Sequence, residues 1–190
     1  MSLQPTSLTA CTHQVILSLG SNLGDRVEHL STATRHLHKP PHTQLIALSS
    51  LYETKPVDLE EQPCFFNAVG LLETSLAPLA LLEECLRIEA LLGRTRQIAK
   101  GPRTLDIDLI LYGCEHSTSP RLTLPHPRYA ARAFVCVPLV ELFQTPPLAT
   151  SLPWAFLRKK LSRLPDHLSA CSAGCRRLPP TGNFPCFPAS

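Results

Sequence analysis

The chain has 190 residues, of which 44% are hydrophobic and 17% charged, and its formal net charge is only +3. This composition is that of a globular protein, and so small a positive excess does not by itself predict nucleic-acid binding. No apolar run approaches the roughly 18–20 residues that a membrane-spanning helix needs. The N-terminus lacks a basic segment followed by an apolar one, so no secretory signal is predicted. We expect a cytoplasmic protein whose eight cysteines form no disulfides, and a zinc site at Cys171, Cys175 and Cys186 is the less favoured alternative because no convincing fourth ligand follows at zinc-site spacing.

The first part of the chain predicts a strand, a helix and two further strands. The apolar run at 14–19 is typical of a strand. Asp25 is a candidate N-cap for a helix that reaches about His38, just before a pair of prolines. Apolar and alternating residues then predict strands at 44–53 and 64–73, with a polar, proline-bounded loop between them.

The next part predicts a second helix and a fourth strand. A helix from about Ser75 would bury one stripe of apolar side chains at helical spacing, formed by Leu81, Cys85, Ile88 and Leu92. Gly93 stands where a glycine commonly ends a helix. A basic loop follows, and then a strand at 104–112. The order β-α-β-β-α-β predicts an α+β, ferredoxin-like core with extra C-terminal elements.

The chain divides into three regions by composition. We predict an N-terminal extension at 1–13, one domain at 14–165 and a proline- and cysteine-rich tail at 166–190. The tail shows no hydrophobic periodicity, which predicts disorder. Within the domain, 134–142 is strongly apolar and 154–164 is spaced like an amphipathic helix.

Two carboxylates lie close together on the predicted fourth strand. Because side chains alternate along a strand, Asp106 and Asp108 point to one face, and Leu105, Ile107 and Leu109 point to the other. Two unpaired carboxylates repel one another, and a hard divalent cation relieves that repulsion. Oxygen ligands favour Mg²⁺. From the strand alone a second interpretation stays open, in which both acids simply face solvent.

Basic residues flank the acidic strand on both sides. They are Arg94, Arg96, Lys100 and Arg103 before it, and His126, Arg128 and Arg132 after it. Acids surrounded by cations indicate a polyphosphate held between metal and arginines. The chain lacks the glycine-rich phosphate-binding motif that ends in Lys-Ser or Lys-Thr. The site would therefore be a phosphoryl-transfer site of another kind.

Six segments, in order and with matching spacing, resemble the 6-hydroxymethyl-7,8-dihydropterin pyrophosphokinases of folate biosynthesis. They are LGSNLGDR (19–26), SSLYETKPV (49–57), QPCFFNAV (62–69), RIEALLGRTR (87–96), GPRTLDIDLILYG (101–113) and LPHPRYAARAFVCVPL (124–139). The resemblance runs from about Val15 to Leu142. It implies transfer of pyrophosphate from ATP, as co-substrate, to the pterin hydroxymethyl group, with release of AMP.

The resemblance also implies roles for matching residues. Asp106 and Asp108 match the ligands of two Mg²⁺ ions, and Arg94 and Arg103 match phosphate-contacting arginines; these four form the predicted catalytic set. The residues that match the ATP side are Glu89, Arg96, Thr123, His126 and Arg132. The residues that match the pterin side are Asn22, Thr54, Val57, Phe65, Asn67 and Phe134.

The residue types suit these roles on chemical grounds. A flat pterin favours stacking on rings such as Phe65 and Phe134, although ordinary core packing explains each ring equally well. Asn67 interrupts an apolar strand, and its amide both donates and accepts hydrogen bonds. In-line attack by the substrate hydroxyl on the β-phosphorus would need no side-chain nucleophile, because positioning and charge stabilisation suffice. Two proton routes stay open, through a metal-bound alcohol or to an Asp oxygen.

One departure from the family concerns Lys100, which stands where relatives often carry a large aromatic residue. Three alternatives to the active enzyme stay open: an inactive homologue that binds pterin or nucleotide, the pyrophosphokinase part of a truncated bifunctional folate enzyme, and a ferredoxin-like RNA-binding domain. The last lacks the aromatic-rich strand that such domains use. We expect a monomer that binds neither nucleic acid nor membrane, with a downstream folate-pathway enzyme as its candidate protein partner.

Overall fold

The computed structural model describes residues 12–39, 41–57, 61–94, 101–144, 174–181 and 184–185. In these ranges the strands are β1 (His13–Ser21), β2 (Thr43–Leu48), β3 (Tyr52–Thr54), β4 (Phe65–Thr74), β5 (Asp106–Tyr112), β6 (Ser117–Ser119), β7 (Leu122–Leu124) and β8 (Cys175–Arg177). The helices are α1 (Arg26–Leu37), α2 (Pro78–Leu91) and α3 (Ala133–Gln144), and a short 3-10 turn at Tyr129–Ala131 precedes α3.

The main sheet is antiparallel and has the order β5-β1-β4-β3-β8, with β2 pairing with the other end of β4. Strands β6 and β7 form a separate hairpin. With α1 after β1 and α2 after β4, the chain follows the order β-α-β-β-α-β. The predicted ferredoxin-like α+β fold is therefore confirmed.

Helices cover both faces of the sheet, and the alternation of β1 shows why. Val15, Leu17 and Leu19 point into the core that α1 and α2 close, whereas Ile16 points into the core under α3. Ile107 and Leu109 of β5, with Leu105 just before the strand, belong to the first core. Asp106 and Asp108 consequently point to the opposite face, the one that α3 partly covers.

Local chemistry explains where the helices begin and end. The Asp25 carboxylate accepts a hydrogen bond from the backbone N–H of Glu28 at 3.0 Å, so Asp25 is the N-cap of α1. Pro78 starts α2. Gly93 adopts a φ of 76° just after α2, a conformation that glycine reaches at low cost.

The strand predicted at 44–53 is two strands. Its register against β4 shifts between Leu45 and Ala47, and β2 ends at Leu48. Ser49 then exchanges hydrogen bonds with Val69, donating its N–H to the Val69 carbonyl and accepting the Val69 N–H at its Oγ. Its side chain thus takes a place that a backbone carbonyl would hold in a ladder, and regular pairing resumes only at Tyr52.

The tail predicted as disordered contributes an ordered segment. Cys175–Arg177 pairs with β3, and Phe184 is only 8% exposed within the core that α1 and α2 close. The helix predicted at 154–164 lies outside the described residues, and the domain boundaries remain a prediction. None of the described helices is long and apolar enough to cross a membrane.

Candidate active site

A cleft of about 410 Å³ opens on the α3 face of the sheet, at the ends of β1, β4 and β5. Its floor follows one cross-strand row, in which Asp106 of β5 lies opposite Gly20 of β1, and Gly20 lies opposite Asn67 of β4. Directly paired residues of an antiparallel sheet share a face. The missing side chain at Gly20 therefore leaves an opening between a carboxylate on one side and an amide on the other.

Two carboxylates and three arginines form the charged end of the cleft. Arg94 contacts Asp106 at 2.7 Å and Arg103 contacts it at 3.2 Å, whereas Arg132 contacts Asp108 at 2.9 Å. The Asp106 and Asp108 side chains are 24% and 32% exposed, so the ion pairs are partly screened by solvent. The arginines offset the like charges of the two acids, which lets both remain on one strand face.

Arg103 has hydrogen-bonding capacity to spare. Its Nε is buried and has no hydrogen-bond partner within the described part of the chain. Asn22 holds the backbone of Arg103 from both directions, since Asn22 Oδ1 accepts the Arg103 N–H at 2.8 Å and the Asn22 N–H reaches the Arg103 carbonyl at 3.1 Å. A fixed backbone and an unpaired N–H suit a residue that binds an anion.

Glu89 lies behind the charged end rather than in it. The residue is 3% exposed, and its carboxylate accepts the backbone N–H of Ile107 at 2.7 Å and pairs with Arg94. Burial raises the pKa of Glu89, while the Ile107 N–H and the Arg94 charge oppose that rise. Glu89 thus orients Arg94 and fixes the start of β5 from beneath.

His126 lies beside Asp108 in surroundings that favour the neutral form of its ring. Burial lowers the pKa of His126; the charge of Asp108 opposes this, and Arg132 and Arg128 add to the lowering. The ring Nδ1 accepts the backbone N–H of Arg128 at 3.2 Å. In a neutral imidazole the proton is then on Nε2, which is left as a donor.

At the other end of the cleft, the described floor residues Asn67 and Thr54 are uncharged, and Lys55 follows Thr54 in the lining. Asn67 donates from Nδ2 to Thr54 Oγ1 at 2.8 Å, and both residues are buried. The ring of Phe65 lies at this end, with the guanidinium of Arg103 5.4 Å from its centroid. The ring of Phe134 has Arg132 at the same distance of 5.4 Å. Each ring therefore stands next to an arginine of the charged end.

A comparison with known protein families identifies the family of this chain. Residues 16–144 match the sequence model of the 7,8-dihydro-6-hydroxymethylpterin-pyrophosphokinase (HPPK) family. The chain belongs to the HPPK family. Its similarity to the "2-amino-4-hydroxy-6-hydroxymethyldihydropteridine pyrophosphokinase" of Bacillus subtilis is 44% identity over 128 residues, 67% of this chain and 77% of that protein. The Pseudomonas aeruginosa protein of the same name is 41% identical over 167 residues, 87% of this chain and 97% of that protein.

Solved structures agree on the fold. A crystal structure of a Plasmodium falciparum HPPK-DHPS triple mutant with SDX-DHP superposes with a TM-score of 0.62 at 16% identity. The superposition covers 94% of this chain and 50% of that one. At that identity the likeness supports the fold, and the HPPK fold here corresponds to about half of the longer HPPK-DHPS chain.

Most of the residues that resemble HPPK site positions meet in the cleft. The residues that line it are Thr54, Val57, Phe65, Asn67, Arg94, Arg103, Asp106, Asp108, His126, Arg132 and Phe134. Asn22 and Glu89 lie behind the lining, at 2% and 3% exposure. Thr123 is exposed on β7 and does not line the cleft, and its hydroxyl donates to the Ser119 carbonyl at 3.4 Å. Arg96 and Lys100 lie outside the described residues.

Several lining residues were not among the predicted HPPK site positions. They are Ser18, Gly20, Lys55, Pro56, Gln62, Arg128 and Ala131. Two of them could have been found from strand alternation, because Ser18 and Gly20 interrupt the apolar face of β1. The glycine matters most: a Cβ at position 20 would stand 2.9 Å from Asn67 Oδ1.

The charged end fits Mg²⁺ on the chemistry of its donors. Among the described residues no group of three or more His, Cys, Asp or Glu side chains could hold a metal ion. Mg²⁺ does not need such a group, because it commonly binds through one or two carboxylates and completes its shell with water and phosphate oxygens. Asp106 and Asp108 supply two hard oxygen donors. Arg94, Arg103 and Arg132 contact these carboxylates and bring more positive than negative charge to this end.

Proposed function

We propose that this cleft is the active site in which the chain carries out the reaction of its family. The chain transfers the pyrophosphate of ATP to 6-hydroxymethyl-7,8-dihydropterin and releases AMP and the pterin diphosphate, a step of folate biosynthesis. The observation that carries the assignment is the division of one cleft into a charged end and a neutral end. A polyphosphate and a flat, uncharged heterocycle need these two environments side by side.

The charged end is assigned to the triphosphate. Asp106 and Asp108 would hold two Mg²⁺ ions, which supply positive charge to the phosphate oxygens when bound. Arg94, Arg103 and Arg132 are positioned to exchange their carboxylate partners for phosphate oxygens, since both groups offer bidentate acceptors. The unpaired Arg103 Nε can donate without breaking an existing hydrogen bond. His126 offers its Nε2–H from the ATP side.

The neutral end is assigned to the pterin. Its rings, Phe65 and Phe134, offer apolar faces for offset stacking. Asn67 presents an amide that both donates and accepts, and the hydrogen bond to Thr54 fixes the orientation of that amide. Val57 is 70% exposed at the rim and offers apolar surface there. A heterocycle with alternating donors and acceptors is recognised by such a set.

The reaction requires that the two substrates be held next to each other, with the pterin hydroxyl facing the β-phosphorus of ATP. The pterin hydroxyl attacks the β-phosphorus in line, and the arginines stabilise the charge that develops on the phosphate oxygens. Glu89 holds Arg94 from beneath, so that its guanidinium need not reorganise during the reaction. Arg103 and Arg132 contribute twice, since each also lies next to a ring assigned to the pterin.

Incubation of the purified chain with ATP, Mg²⁺ and 6-hydroxymethyl-7,8-dihydropterin tests the assignment. We expect one AMP to form for each pterin diphosphate, with no reaction when chelator removes Mg²⁺. Production of ADP, or nucleotide turnover that does not depend on the pterin, would contradict it. The inactive-homologue alternative is not favoured, because the predicted catalytic set of Arg94, Arg103, Asp106 and Asp108 lines the cleft.

We further propose that the chain acts as a monomer in the cytoplasm. The cleft is built from a single chain, and no feature of the described residues requires a second copy to complete it. The HPPK-DHPS structures support association with a second enzyme of folate synthesis as another arrangement. Light scattering of the purified protein distinguishes a monomer from an oligomer, and co-purification from the native source detects such an associated enzyme.

A further inference from the structure

Glu141 of α3 lies over the sheet face that carries the cleft and accepts hydrogen bonds from two neighbouring residues. Its Oε2 accepts the backbone N–H of Ser50 at 3.1 Å and the Tyr52 hydroxyl at 2.9 Å, and its Oε1 accepts the Ser50 hydroxyl at 2.8 Å. Ser50 and Tyr52 stand at the break between β2 and β3. A single carboxylate therefore fixes the point at which β3 begins.

Arg177, on β8, joins the same group from the far edge of the sheet. Its guanidinium donates to Glu141 Oε1 at 2.8 Å and to Ser50 Oγ at 2.7 and 2.9 Å. Along the backbone, the Leu178 N–H donates to the Leu51 carbonyl at 2.8 Å. We call Glu141, Ser50, Tyr52 and Arg177 the β3 anchor.

The register connects the β3 anchor to the cleft. Tyr52 is paired with Arg177 on one side and with Asn67 on the other, so the row that holds Asp106, Gly20 and Asn67 continues to the anchor. Thr54 lies two residues beyond Tyr52 on β3 and shares its face. Thr54 Oγ1 also accepts the hydrogen bond from Asn67 Nδ2.

Strand β3 needs such support because it is short. It has three residues, and one of its two neighbours is β8, which is equally short. Pairing of three residues supplies few hydrogen bonds to oppose the entropy of the chain. Burial raises the pKa of Tyr52, and Glu141 raises it further, so the phenol stays a protonated donor to the carboxylate.

We propose that Glu141 and Arg177 are positioning residues for pterin recognition, which act through Ser50 and Tyr52 to hold Thr54 and Asn67 in place. The proposal rests on the assignment of the neutral end to the pterin. Arg177 lies outside the segment that matches the HPPK family, which ends at residue 144. The tail strand thus takes part in shaping the pterin end of the cleft without touching the substrate.

Backbone hydrogen exchange tests the first half of the proposal without any ligand. In Arg177→Ala we expect exchange to accelerate about 2-fold to 5-fold at the β3 amides, the size expected for losing a partly exposed ion pair. Exchange in β1 should not change. Equal acceleration in β1 and β3 would indicate general destabilisation and overturn the proposal, as would unchanged exchange in β3.

Steady-state kinetics tests the second half. In Glu141→Gln we expect the KM for the pterin to rise about 3-fold to 10-fold, with the KM for ATP unchanged, because a misplaced binding group weakens only its own ligand. Tyr52→Phe removes a single hydrogen bond of the anchor and should show the same selectivity with a smaller effect. Equal changes in both KM values, or none in a folded variant, would overturn the proposal.

Two further variants separate positioning from loss of surface charge. Arg121→Ala removes an arginine that is similarly exposed, at 66% against 64% for Arg177, and that pairs with Glu83 away from the cleft. It should leave both KM values unchanged. Arg177→Lys keeps the charge but lacks the planar guanidinium that holds its N–H donors toward Ser50 and Glu141 in a fixed geometry, so we expect partial rescue. If the wild-type chain binds no pterin, the proposed function is wrong. If the wild-type chain binds the pterin and the Glu141 and Arg177 variants bind it equally well, the proposed role of the β3 anchor is wrong.

Discussion

The two ends of the cleft are held in place by different physical means. At the charged end, Asp106 contacts Arg94 and Arg103, and Asp108 contacts Arg132, so each group is positioned mainly by an opposite charge. At the neutral end, Asn67 is positioned by one hydrogen bond to Thr54 and by the space that Gly20 leaves for its Oδ1. Charge balance governs the first end, and close packing governs the second.

This difference determines which substitutions should matter at each end. Removing a charge should change the chemistry while the shape of the site survives. Adding a single methyl group at the neutral end should change recognition while the chemistry survives. The effects of substitutions at the two ends on activity and binding can therefore be compared, from the largest expected effect to the smallest.

Asp106→Asn and Asp108→Asn should each reduce Mg²⁺-dependent AMP release by about 100-fold or more, because under the proposed function each removes a charge that would hold metal and arginines around the phosphates. Initial rates at saturating substrates measure the loss. Glu83→Gln, which neutralises a surface carboxylate that is 62% exposed, is the matched control and should retain full activity. Near-normal rates in both Asp variants would remove the basis for the charged end.

Gly20→Ala should raise the KM for the pterin by about 10-fold and leave the KM for ATP within about 2-fold, because a methyl group that displaces a recognition contact costs on the order of 1–3 kcal/mol. The new Cβ would stand 2.9 Å from Asn67 Oδ1, so the amide must move. Separate titration of the two substrates in initial-rate assays shows the split.

Gly113→Ala is the matched control for that substitution. Gly113 has a φ of 49°, and no atom of the described residues lies within 4 Å of the point where a Cβ would stand, so alanine strains the backbone there without touching the cleft. Its stability should fall by about 1 kcal/mol while both KM values remain those of the wild type. A pterin KM that rises equally in both glycine variants would show that lost stability, rather than the position of Asn67, causes the effect.

Phe65→Leu should weaken pterin binding by about 2-fold to 10-fold, since aromatic pairing contributes about 0.5–1.5 kcal/mol beyond buried area. Leucine keeps much of the apolar volume, so the fold should persist. The dissociation constant for the pterin in the presence of a nonhydrolysable ATP analogue is the quantity to measure. Unchanged affinity would mean that Phe65 packs in the core without stacking on the substrate.

The smallest expected effect concerns stability at mildly acidic pH. Because the pKa of His126 is lowered from 6.5 in the folded state, the unfolded chain takes up a proton first as the pH falls. The free energy of unfolding should therefore decrease as the pH drops below 6.5, and His126→Asn should show a shallower decrease. Urea unfolding on either side of that pH provides the slopes, and parallel slopes would contradict the lowered pKa of this half-buried ring.

The fold could be predicted from the sequence because local signals and tertiary structure agree. Asp25 caps α1 and Gly93 ends α2 where the sequence indicates, and apolar periodicity marks the first, third and fourth predicted strands closely. The break between β2 and β3 falls at Ser49 and Ser50, two consecutive polar residues inside the single strand predicted at 44–53. It depends on Ser49 bonding to Val69, a residue 20 positions away.

The part of the candidate site that depends on charged side chains could be predicted from the sequence. The part that depends on the absence of a side chain was harder to predict. Asp106 and Asp108 attract attention as charges on an apolar strand. Gly20 acts through the side chain it lacks, and only the pairing of β1 with β4 places Asn67 opposite it. Glu89 was predicted on the ATP side and lies buried beneath β5; a glutamate beside the buried stripe of α2 was the available signal.

The central claim is that nucleotide binding and pterin recognition reside in separate ends of one cleft. Calorimetric titration of a nonhydrolysable ATP analogue with Mg²⁺ into Asp108→Asn and Asn67→Ala tests it most directly. We expect Asn67→Ala to bind the nucleotide as the wild type does and Asp108→Asn to bind it at least about 10-fold more weakly, a loss of about 1.4 kcal/mol. Equal losses in the two variants, or a loss confined to Asn67→Ala, would contradict the division of the cleft.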